Sequence, residues 1–278
     1  MKFWKMSGAG NDFVILNGFT EHSNNWNETA KKLCDRHFGV GADGIEFCEK
    51  SDIADIRMKY YNSDGSLGEM CGNGIRCFAK FVYDNGIIKK ENFSVDTDAG
   101  IKYIELIFDD NKNIKYVSVD MGKGDFTPSS IPCILGKDGV FNEKIEIGGK
   151  IIEFSSILMS VPHTVIFVED IDSYDIDDIG SKLEISKIFP NKTNVNFAYI
   201  KDDNTIILKT WERGAGHTLA CGTGCCATAV LAKKLGKINE NEVKLIVEGG
   251  ELFIKLDENY QVTMTGTAEK VFEGEIFI

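Results

Sequence analysis

Residues 56–82 read IRMKYYNSDGSLGEMCGNGIRCFAKFV, and residues 206–232 read IILKTWERGAGHTLACGTGCCATAVLA. The two stretches align without a gap at an offset of 150 residues, the separation of Cys71 and Cys221. Each contains a Cys-Gly-x-Gly motif. One such motif alone is typical of a glycine turn beside a buried thiol. Two copies in matching contexts predict an internally repeated fold whose halves carry equivalent functional turns.

The pattern around each motif predicts a strand, a turn and a helix. Apolar and polar residues alternate over 56–61 and over 206–211, as in a half-buried strand, and a polar turn with glycine follows each. From Ile75 to Val82 apolar residues recur at i, i+3, i+4 and i+7, which indicates an amphipathic helix that ends at Asn85-Gly86. The helix after Cys221 has small, apolar residues on nearly all of its faces, and it ends at Gly236. We expect it to be enclosed by other structure.

Short alternating segments at 93–120 and 243–278 indicate further strands. We therefore predict an α+β fold of two similar halves, each a curved β-sheet or barrel wrapped around a central helix. The glycine-containing residues 120–124 follow a strand-like run and place a boundary near residue 120. The predicted domains are residues 1–120 and residues 121–263. The active site is expected in the cleft between them, where each half would contribute one Cys-Gly-x-Gly turn.

The composition narrows the class of protein. The chain has 278 residues, 43% of them hydrophobic, and a formal net charge of −12. No basic run exceeds a lysine pair, which argues against nucleic acid as a partner. The longest apolar runs, such as residues 13–16, are too short to span a bilayer. Because residues 1–6 contain no apolar signal-like run, we expect a cytoplasmic protein without a membrane partner.

The eight cysteines are expected to be mostly reduced thiols. Five residues separate Cys71 from Cys77 and three separate Cys221 from Cys225, with no well-placed second pair, so no metal site is predicted. A thiol–disulfide oxidoreductase would require a C-x-x-C motif, which the sequence lacks. A relative that only binds a ligand would be expected to lack one of the two motif thiols.

Two thiols at helix starts are suited to racemising an amino acid. The α-proton must leave one face of a tetrahedral carbon and a proton must arrive at the other, so two opposed groups serve better than one. A helix N-terminus lowers the pKa of a thiol and presents unpaired backbone N–H groups to a carboxylate. The backbone N–H groups at residues 72, 73, 222 and 223 would stabilise the charge that develops on the substrate carboxylate.

Several motifs resemble the diaminopimelate epimerase family. They are Lys5–Phe13 (KMSGAGNDF), Asn62–Ser66 (NSDGS), Glu69–Cys77 (EMCGNGIRC), Trp211–Gly214 (WERG), Ala220–Gly224 (ACGTG), Met264–Gly266 (MTG) and Val271–Glu275 (VFEGE). The resemblance runs from residue 3 to the end of the chain. It implies an isomerase of lysine and cell-wall biosynthesis that needs neither PLP nor a metal, and therefore no cofactor. It also implies that a last strand, within 264–278, returns to the first half.

The resemblance assigns roles to individual residues. Cys71 and Cys221 would be the catalytic thiols, with His163 and Glu212 assisting them, each near one thiol. The substrate, an amino acid bound as a small molecule, would be held by a set of side chains and backbone groups: Asn11, Asn62, Gly72, Asn73, Val161, Asn194, Arg213, Gly222 and Thr223. Arg213 would pair with the distal carboxylate of the substrate.

Two positions depart from the family pattern. Val161, in Ser160-Val161-Pro162-His163, stands where the family has an asparagine that contacts the substrate, and His217 stands where the family usually has glutamate. Valine cannot form a side-chain hydrogen bond. A racemase with the same chemistry but another substrate, such as histidine or lanthionine, is therefore the alternative. The oligomeric state stays open, with a homodimer as one candidate.

Overall fold

A computed structural model describes residues 1–277 of the chain. By its internal contacts the chain forms two compact units. The first comprises Met1–Asp120 together with the segment that begins at Thr265, and the second comprises Met121–Met264. No helix within the described residues has the length and apolar character needed to cross a membrane.

Residues 1–123 contain eight strands and two helices, and all but the last three residues of β8 belong to the first unit. They are β1 (Lys2–Gly8), β2 (Asn11–Leu16), α1 (Trp26–Cys34), β3 (Gly44–Glu49), β4 (Ile56–Asn62), β5 (Leu67–Gly68), α2 (Gly72–Asp84), β6 (Asn92–Thr97), β7 (Gly100–Phe108) and β8 (Ile114–Lys123). Most neighbouring strands pair antiparallel, but β2–β3 and β4–β6 are parallel. Parallel pairing requires a crossover, which α1 and α2 supply.

The second unit repeats this order. After β9 (Val140–Ile147) come β10 (Lys150–Met159), β11 (Val161–Val168), a 3-10 turn (Ile171–Ser173), α3 (Ile176–Glu184), β12 (Asn194–Asp202), β13 (Thr205–Glu212), β14 (Gly216–Thr218), α4 (Gly222–Lys234), β15 (Glu242–Val247), β16 (Gly250–Leu256) and β17 (Gln261–Gly266). Its parallel pairs, β11–β12 and β13–β15, occupy the same places in the order. The predicted repeat is confirmed, and it extends over the whole of both units.

The final strand, β18 (Glu269–Glu275), belongs to the first unit. It pairs antiparallel with β1, with Lys2 opposite Glu275 and Trp4 opposite Glu273. In the second unit β9 pairs antiparallel with β10, the counterpart of β1. Each unit therefore has one additional strand beside the first strand of its repeat.

Both motif helices are central to their units. In α2 the apolar residues predicted to share a face, from Ile75 to Val82, are buried. In α4 every residue from Gly224 to Ala232 is buried, as expected for a helix enclosed by other structure. Each helix ends before a glycine at positive φ, Gly86 at 68° and Gly236 at 67°, a conformation that glycine adopts without strain. The predicted α+β architecture of two similar halves around central helices is confirmed.

Candidate active site

Cys71 lies at the N-cap position of α2, and Cys221 lies at the same position of α4. Both have extended backbones, with φ of −120° and −114°, and their carbonyl groups accept the first helical hydrogen bonds, from Ile75 and Cys225 at 2.9 Å. The predicted placement of both thiols at a strand-to-helix turn is confirmed. Cys71 is half-buried, whereas Cys221 is only 5% exposed.

The predicted carboxylate-binding groups lie at the starts of these helices. Gly72 and Asn73 are the first two residues of α2, and Gly222 and Thr223 are the first two of α4. Backbone N–H groups in a first helical turn have no acceptor within their own helix, and anions bind at such helix starts. Each unit thus presents a thiol beside a pair of such donors.

In the first unit, Cys71 is linked to a group of charged side chains through Asn11. Its thiol donates to Oδ1 of Asn11 at 3.5 Å, and Nδ2 of Asn11 donates to Oδ2 of Asp43. Oδ1 of Asp43 accepts from Arg36 at 2.7 Å, and the same guanidinium forms a bidentate pair with Asp12 at 2.8 and 3.0 Å. Burial alone would raise the pKa of Asp12, but hydrogen bonds from Arg36 and Lys5 hold it well below its usual range.

Arg76, which is not among the predicted site residues, fixes the start of α2. Its side chain is fully buried. Nη1 donates to the carbonyl of Gly72 at 2.8 Å, Nη2 to Oδ1 of Asn73 at 3.1 Å, and Nε to the carbonyl of Thr267 at 3.2 Å. A buried arginine is held by such donor–acceptor pairs. The sequence signal that could have identified Arg76 is its position within an otherwise apolar face of the helix.

Asn62, a predicted substrate contact, lies at the end of β4 and closes the following turn. Its Oδ1 accepts from the hydroxyl of Tyr60 at 2.7 Å, and its Nδ2 donates to Oγ of Ser66 at 3.0 Å. The amide therefore has partners within the first unit. Its contact with substrate stays a prediction.

In the second unit, Cys221 lies beside Thr223 and Glu212. Its Sγ is 3.5 Å from Oγ1 of Thr223. Burial raises the pKa of Cys221 well above its ordinary value, and the negative charge of Glu212 raises it further, while hydrogen bonds from Thr223 and Gly224 lower it. Glu212 is itself held by the hydroxyl of Thr218 at 2.5 Å.

A chain of hydrogen bonds connects His163 to this thiol. Nδ2 of Asn196 donates to the carbonyl of Thr164 at 3.1 Å and to Nδ1 of His163 at 3.2 Å. Because a carbonyl can only accept, the amide nitrogen must face both partners, and Nδ1 of His163 is the acceptor. The ring proton then lies on Nε2, which donates to Oγ1 of Thr223 at 3.0 Å. The hydroxyl proton of Thr223 is left to point at Sγ of Cys221.

His163 is a neutral imidazole in this environment. Its side chain is fully buried, and burial together with the positive charge of Arg213 lowers its pKa to about 3. The ring therefore acts as a fixed hydrogen-bond donor near neutral pH. His163 and Glu212, predicted to assist one thiol each, both lie in the second unit. The charge of Glu212 raises the pKa of Cys221, and His163 is connected to that thiol through Thr223. Their part in catalysis stays a prediction.

Asn194 and Arg213 meet at the turn after β13. Oδ1 of Asn194 accepts from the backbone N–H of Arg213 at 2.9 Å, and its Nδ2 donates to the carbonyl of Pro162 at 2.9 Å. The Arg213 side chain is exposed, and its Nη1 donates to the carbonyl of Asn191 at 3.1 Å. Asn194 thus positions Arg213. The predicted contacts of both with substrate stay predictions.

The two departures from the family pattern occupy distinct surroundings. Val161 is the half-buried first residue of β11, as Asn11 is the first residue of β2, so the two are equivalent in the repeat. His217 lies on β14, with Nδ1 3.4 Å from Asp177 and Nε2 3.1 Å from Glu248. The histidine is therefore held between two carboxylates of its own unit.

All eight cysteines are free thiols. Within residues 1–277 no three histidine, cysteine, aspartate or glutamate side chains come together in a group that could hold a metal ion.

The fold is shared with solved structures of low sequence identity. A hydroxyproline epimerase from Agrobacterium vitis, with bound trans-4-OH-L-proline, matches with a TM-score of 0.73 at 13% identity, over 99% of this chain and 91% of that one. A PhzF-family phenazine biosynthesis protein from Bacillus anthracis matches with a TM-score of 0.69 at 15% identity, over 100% and 99%. At these identities the likeness shows a shared fold, here one with a thiol-bearing helix start in each unit.

Sequence comparison gives the family. The family model described as diaminopimelate epimerase matches residues 3–127 and 155–271. A diaminopimelate epimerase from Clostridium perfringens is 46% identical over 275 residues, covering 99% of this chain and 98% of the relative. Another, from Caldanaerobacter subterraneus, is 44% identical over 278 residues and covers both chains completely. The chain belongs to the diaminopimelate epimerase family, as its motifs predicted.

Proposed function

We propose that this protein interconverts L,L- and meso-diaminopimelate with two cysteines, as a step in lysine and peptidoglycan biosynthesis. The observation that carries the proposal is the presence of two thiols, each at the N-cap of a buried helix whose first N–H groups lie beside it. Full-length relatives that carry the same name, at 44–46% identity, support the substrate.

In the proposed reaction one cysteine, as thiolate, removes the α-proton, and the other, as thiol, delivers a proton to the opposite face. The chemistry requires Cys71 and Cys221 on opposite sides of the α-carbon. The electron pair left on that carbon spreads into the α-carboxylate, which the N–H groups of Gly72, Asn73, Gly222 and Thr223 would bind. Such donors stabilise the developing dianion more than the ground state, so they lower the barrier. No cofactor is then needed as an electron sink.

The neighbours of each thiol would support proton transfer. The Thr223 hydroxyl, held by the neutral His163, can donate to the sulfur of Cys221 and so stabilise its thiolate. The carboxylate of Glu212 opposes that charge, and therefore favours return of a proton to Cys221. This balance would allow the thiol to exchange a proton in either direction.

The distal end of the substrate would be held by Arg213, whose exposed guanidinium can form a bidentate pair with a carboxylate. Asn11, Asn62, Asn194 and Val161 are the other proposed contacts. The reaction requires reduced thiols, and all eight cysteines are free, which supports a cytoplasmic location.

Val161 favours the alternative substrate, because the asparagine expected there would contact diaminopimelate. The test is incubation of the protein in D2O with L,L-diaminopimelate, L-histidine or lanthionine, with α-deuterium scored by mass spectrometry and kcat/KM determined for each. We expect diaminopimelate to be preferred. A preference for histidine of about tenfold or more would overturn the substrate and leave the two-thiol chemistry intact. Exchange with none of the three would overturn the reaction class.

A further inference from the structure

The amide of Asn11 stands between the Cys71 thiol and the Asp43 carboxylate. Oδ1 faces the sulfur at 3.5 Å, and Nδ2 faces Oδ2 of Asp43. Oδ2 of Asp43 also accepts from the backbone N–H of Asp12 at 3.1 Å, and Oδ1 of Asp43 accepts from Arg36. Each oxygen of the Asp43 carboxylate therefore has a hydrogen-bond partner other than Asn11.

An asparagine amide has two ends of similar size, and its hydrogen-bond partners decide which end faces which way. An ionised carboxylate can only accept, so Asp43 requires the NH2 group of Asn11. The carbonyl oxygen must then face Cys71. A carbonyl oxygen can accept a proton from a thiol but cannot donate to a thiolate, so it favours the protonated sulfur.

We propose that Asp43 is a positioning residue of the epimerase, which fixes the direction of the Asn11 amide and thereby holds Cys71 as a proton-donating thiol until substrate arrives. The catalytic meaning rests on the proposed function, but the hydrogen-bond arrangement does not. No proton leaves Asp43 in this arrangement. Its carboxylate acts only through Asn11.

The second unit supports this assignment by contrast. Val161 takes the place of Asn11 in the repeat and offers the sulfur no acceptor. Cys221 instead faces the hydroxyl of Thr223, which can donate to it. The two thiols therefore have neighbours of opposite hydrogen-bonding sense, and Asp43 sets that sense on the first unit alone.

The test measures how alkylation of Cys71 by iodoacetamide depends on pH, with peptide mapping to follow this cysteine separately. Asp43→Asn replaces an obligate acceptor by a group that can also donate, so Asn11 can turn its NH2 group toward the sulfur. We expect the midpoint of alkylation to fall by about one pH unit. Asp43→Ser, whose hydroxyl also donates and accepts, should lower the midpoint of alkylation in the same way. If only one of the two variants folds, that variant is enough to test the proposal.

The controls separate amide direction from charge and from folding. Asp12→Asn removes an equal charge from a neighbour that shares Arg36 with Asp43, but leaves the partner of Asn11 in place, so its midpoint should stay near that of the wild type. Asp43→Glu keeps a carboxylate and should restore the wild-type midpoint. An equal shift in Asp12→Asn, or an unchanged midpoint in folded Asp43→Asn or Asp43→Ser, overturns the proposal. The alkylation measurement does not depend on turnover. Failure of the proposed function would therefore appear in the deuterium-exchange experiment and not in this one.

Discussion

His163 is a histidine whose two ring nitrogens are both committed to fixed partners. Nδ1 accepts from Asn196 and Nε2 donates to Thr223. With its pKa lowered to about 3, the ring stays neutral over the range where an ordinary histidine titrates. We expect 15N NMR to find the Nε2–H tautomer unchanged between about pH 5 and 8.

The same shift makes the folded protein sensitive to acid. The unfolded chain binds a proton on His163 below about pH 6.5, whereas the folded chain does not until about pH 3. Stability is therefore lost as the pH falls from 6.5 toward 3. Appearance of an imidazolium signal for His163 near pH 6 in the folded protein would contradict this account.

Thr223 transmits the effect of His163 to the thiol, because its hydroxyl contacts both Nε2 of the ring and Sγ of Cys221. Thr223→Val keeps the shape and the backbone N–H but removes the hydroxyl. A hydrogen bond to a charged group contributes about 1.5–3 kcal/mol, so kcat/KM should fall about 10- to 150-fold. Thr223→Ser is the matched control and should retain most of the activity. Equal losses in both variants would show that the methyl group matters instead.

Val161 is the proposed contact with the distal end of the substrate. If diaminopimelate is the substrate, Val161→Asn supplies a hydrogen bond that valine cannot make, and kcat/KM for L,L-diaminopimelate should hold or rise. The rise is limited to about 5- to 150-fold, the value of about 1–3 kcal/mol. Val161→Leu, which stays apolar, is the control. A loss of activity on diaminopimelate in the asparagine variant, with a wild-type preference for histidine, would contradict the prediction.

The sequence alone predicted the helices and strands that have a strong local pattern of apolar residues. The strand, turn and helix from residue 56 to Val82 carry clear periodicity, and the structure confirms them. The helices α1 and α3 were not predicted, although the side chains of Asn25 and Asp175 cap them by accepting hydrogen bonds from the backbone N–H groups of Glu28 and Asp178. A capping residue three positions before an acidic residue was the overlooked signal.

The hydrogen-bond networks could not be predicted from local pattern. Asp43 meets Asn11 because β2 and β3 pair in parallel, with Phe13 opposite Gly44, across the crossover formed by residues 17–43. Arg76 reaches Thr267 because the end of the chain returns to the first unit. Contacts of this kind depend on register between distant segments, which one sequence does not reveal.

The packing of β3 against α2 buries an unpaired carboxyl group. Glu46 is fully buried, and among residues 1–277 neither of its oxygens has a hydrogen-bond partner. A Cβ at Gly74 would overlap Oε1 of Glu46, so the helix start lies directly on this side chain. In the second unit the equivalent residue is Asn196, whose amide is fully used by its neighbours.

Glu46 should make stability depend on pH in the direction opposite to His163. Burial raises its pKa well above the usual value, so the folded protein retains a proton that the unfolded chain loses above about pH 4.5. The folded state therefore binds more protons, and stability falls as the pH rises. Glu46→Met removes the free-energy cost of keeping this carboxyl protonated. The free energy of unfolding of the variant should therefore exceed that of the wild type by an amount that grows by about 1.4 kcal/mol per pH unit above pH 4.5, up to the pKa of Glu46 in the folded state.

Urea unfolding at several pH values between about 5 and 8 measures this difference. Glu49→Met, on the same strand but partly exposed, is the matched control for loss of a carboxyl group. An advantage of Glu46→Met that does not vary with pH would show that the carboxyl is not retained as the acid.

The two units have the same order of strands and helices, but the side chains at several equivalent positions differ. Asn11 corresponds to Val161, Phe13 to His163, and Glu46 to Asn196, each at the offset of the two motif cysteines. Each unit supplies a thiol and a helix start. In the second unit His163 bonds to the hydroxyl beside Cys221, whereas Phe13 takes the place of the histidine in the first unit. The reaction is reversible between two different stereoisomers, so unequal surroundings for the two thiols suit it.

The proposed reaction requires both thiols. In a two-thiol reaction run in D2O, the α-proton goes to one sulfur and the new α-hydrogen comes from the other. Product formed at early times should therefore carry deuterium while the remaining substrate does not. Cys71→Ala and Cys221→Ala should each abolish turnover without unfolding the chain, and the serine variants should leave only very slow turnover, because a hydroxyl is a far weaker acid. Near-normal turnover in either alanine variant, or protium retained in the product, would mean that one group serves both faces.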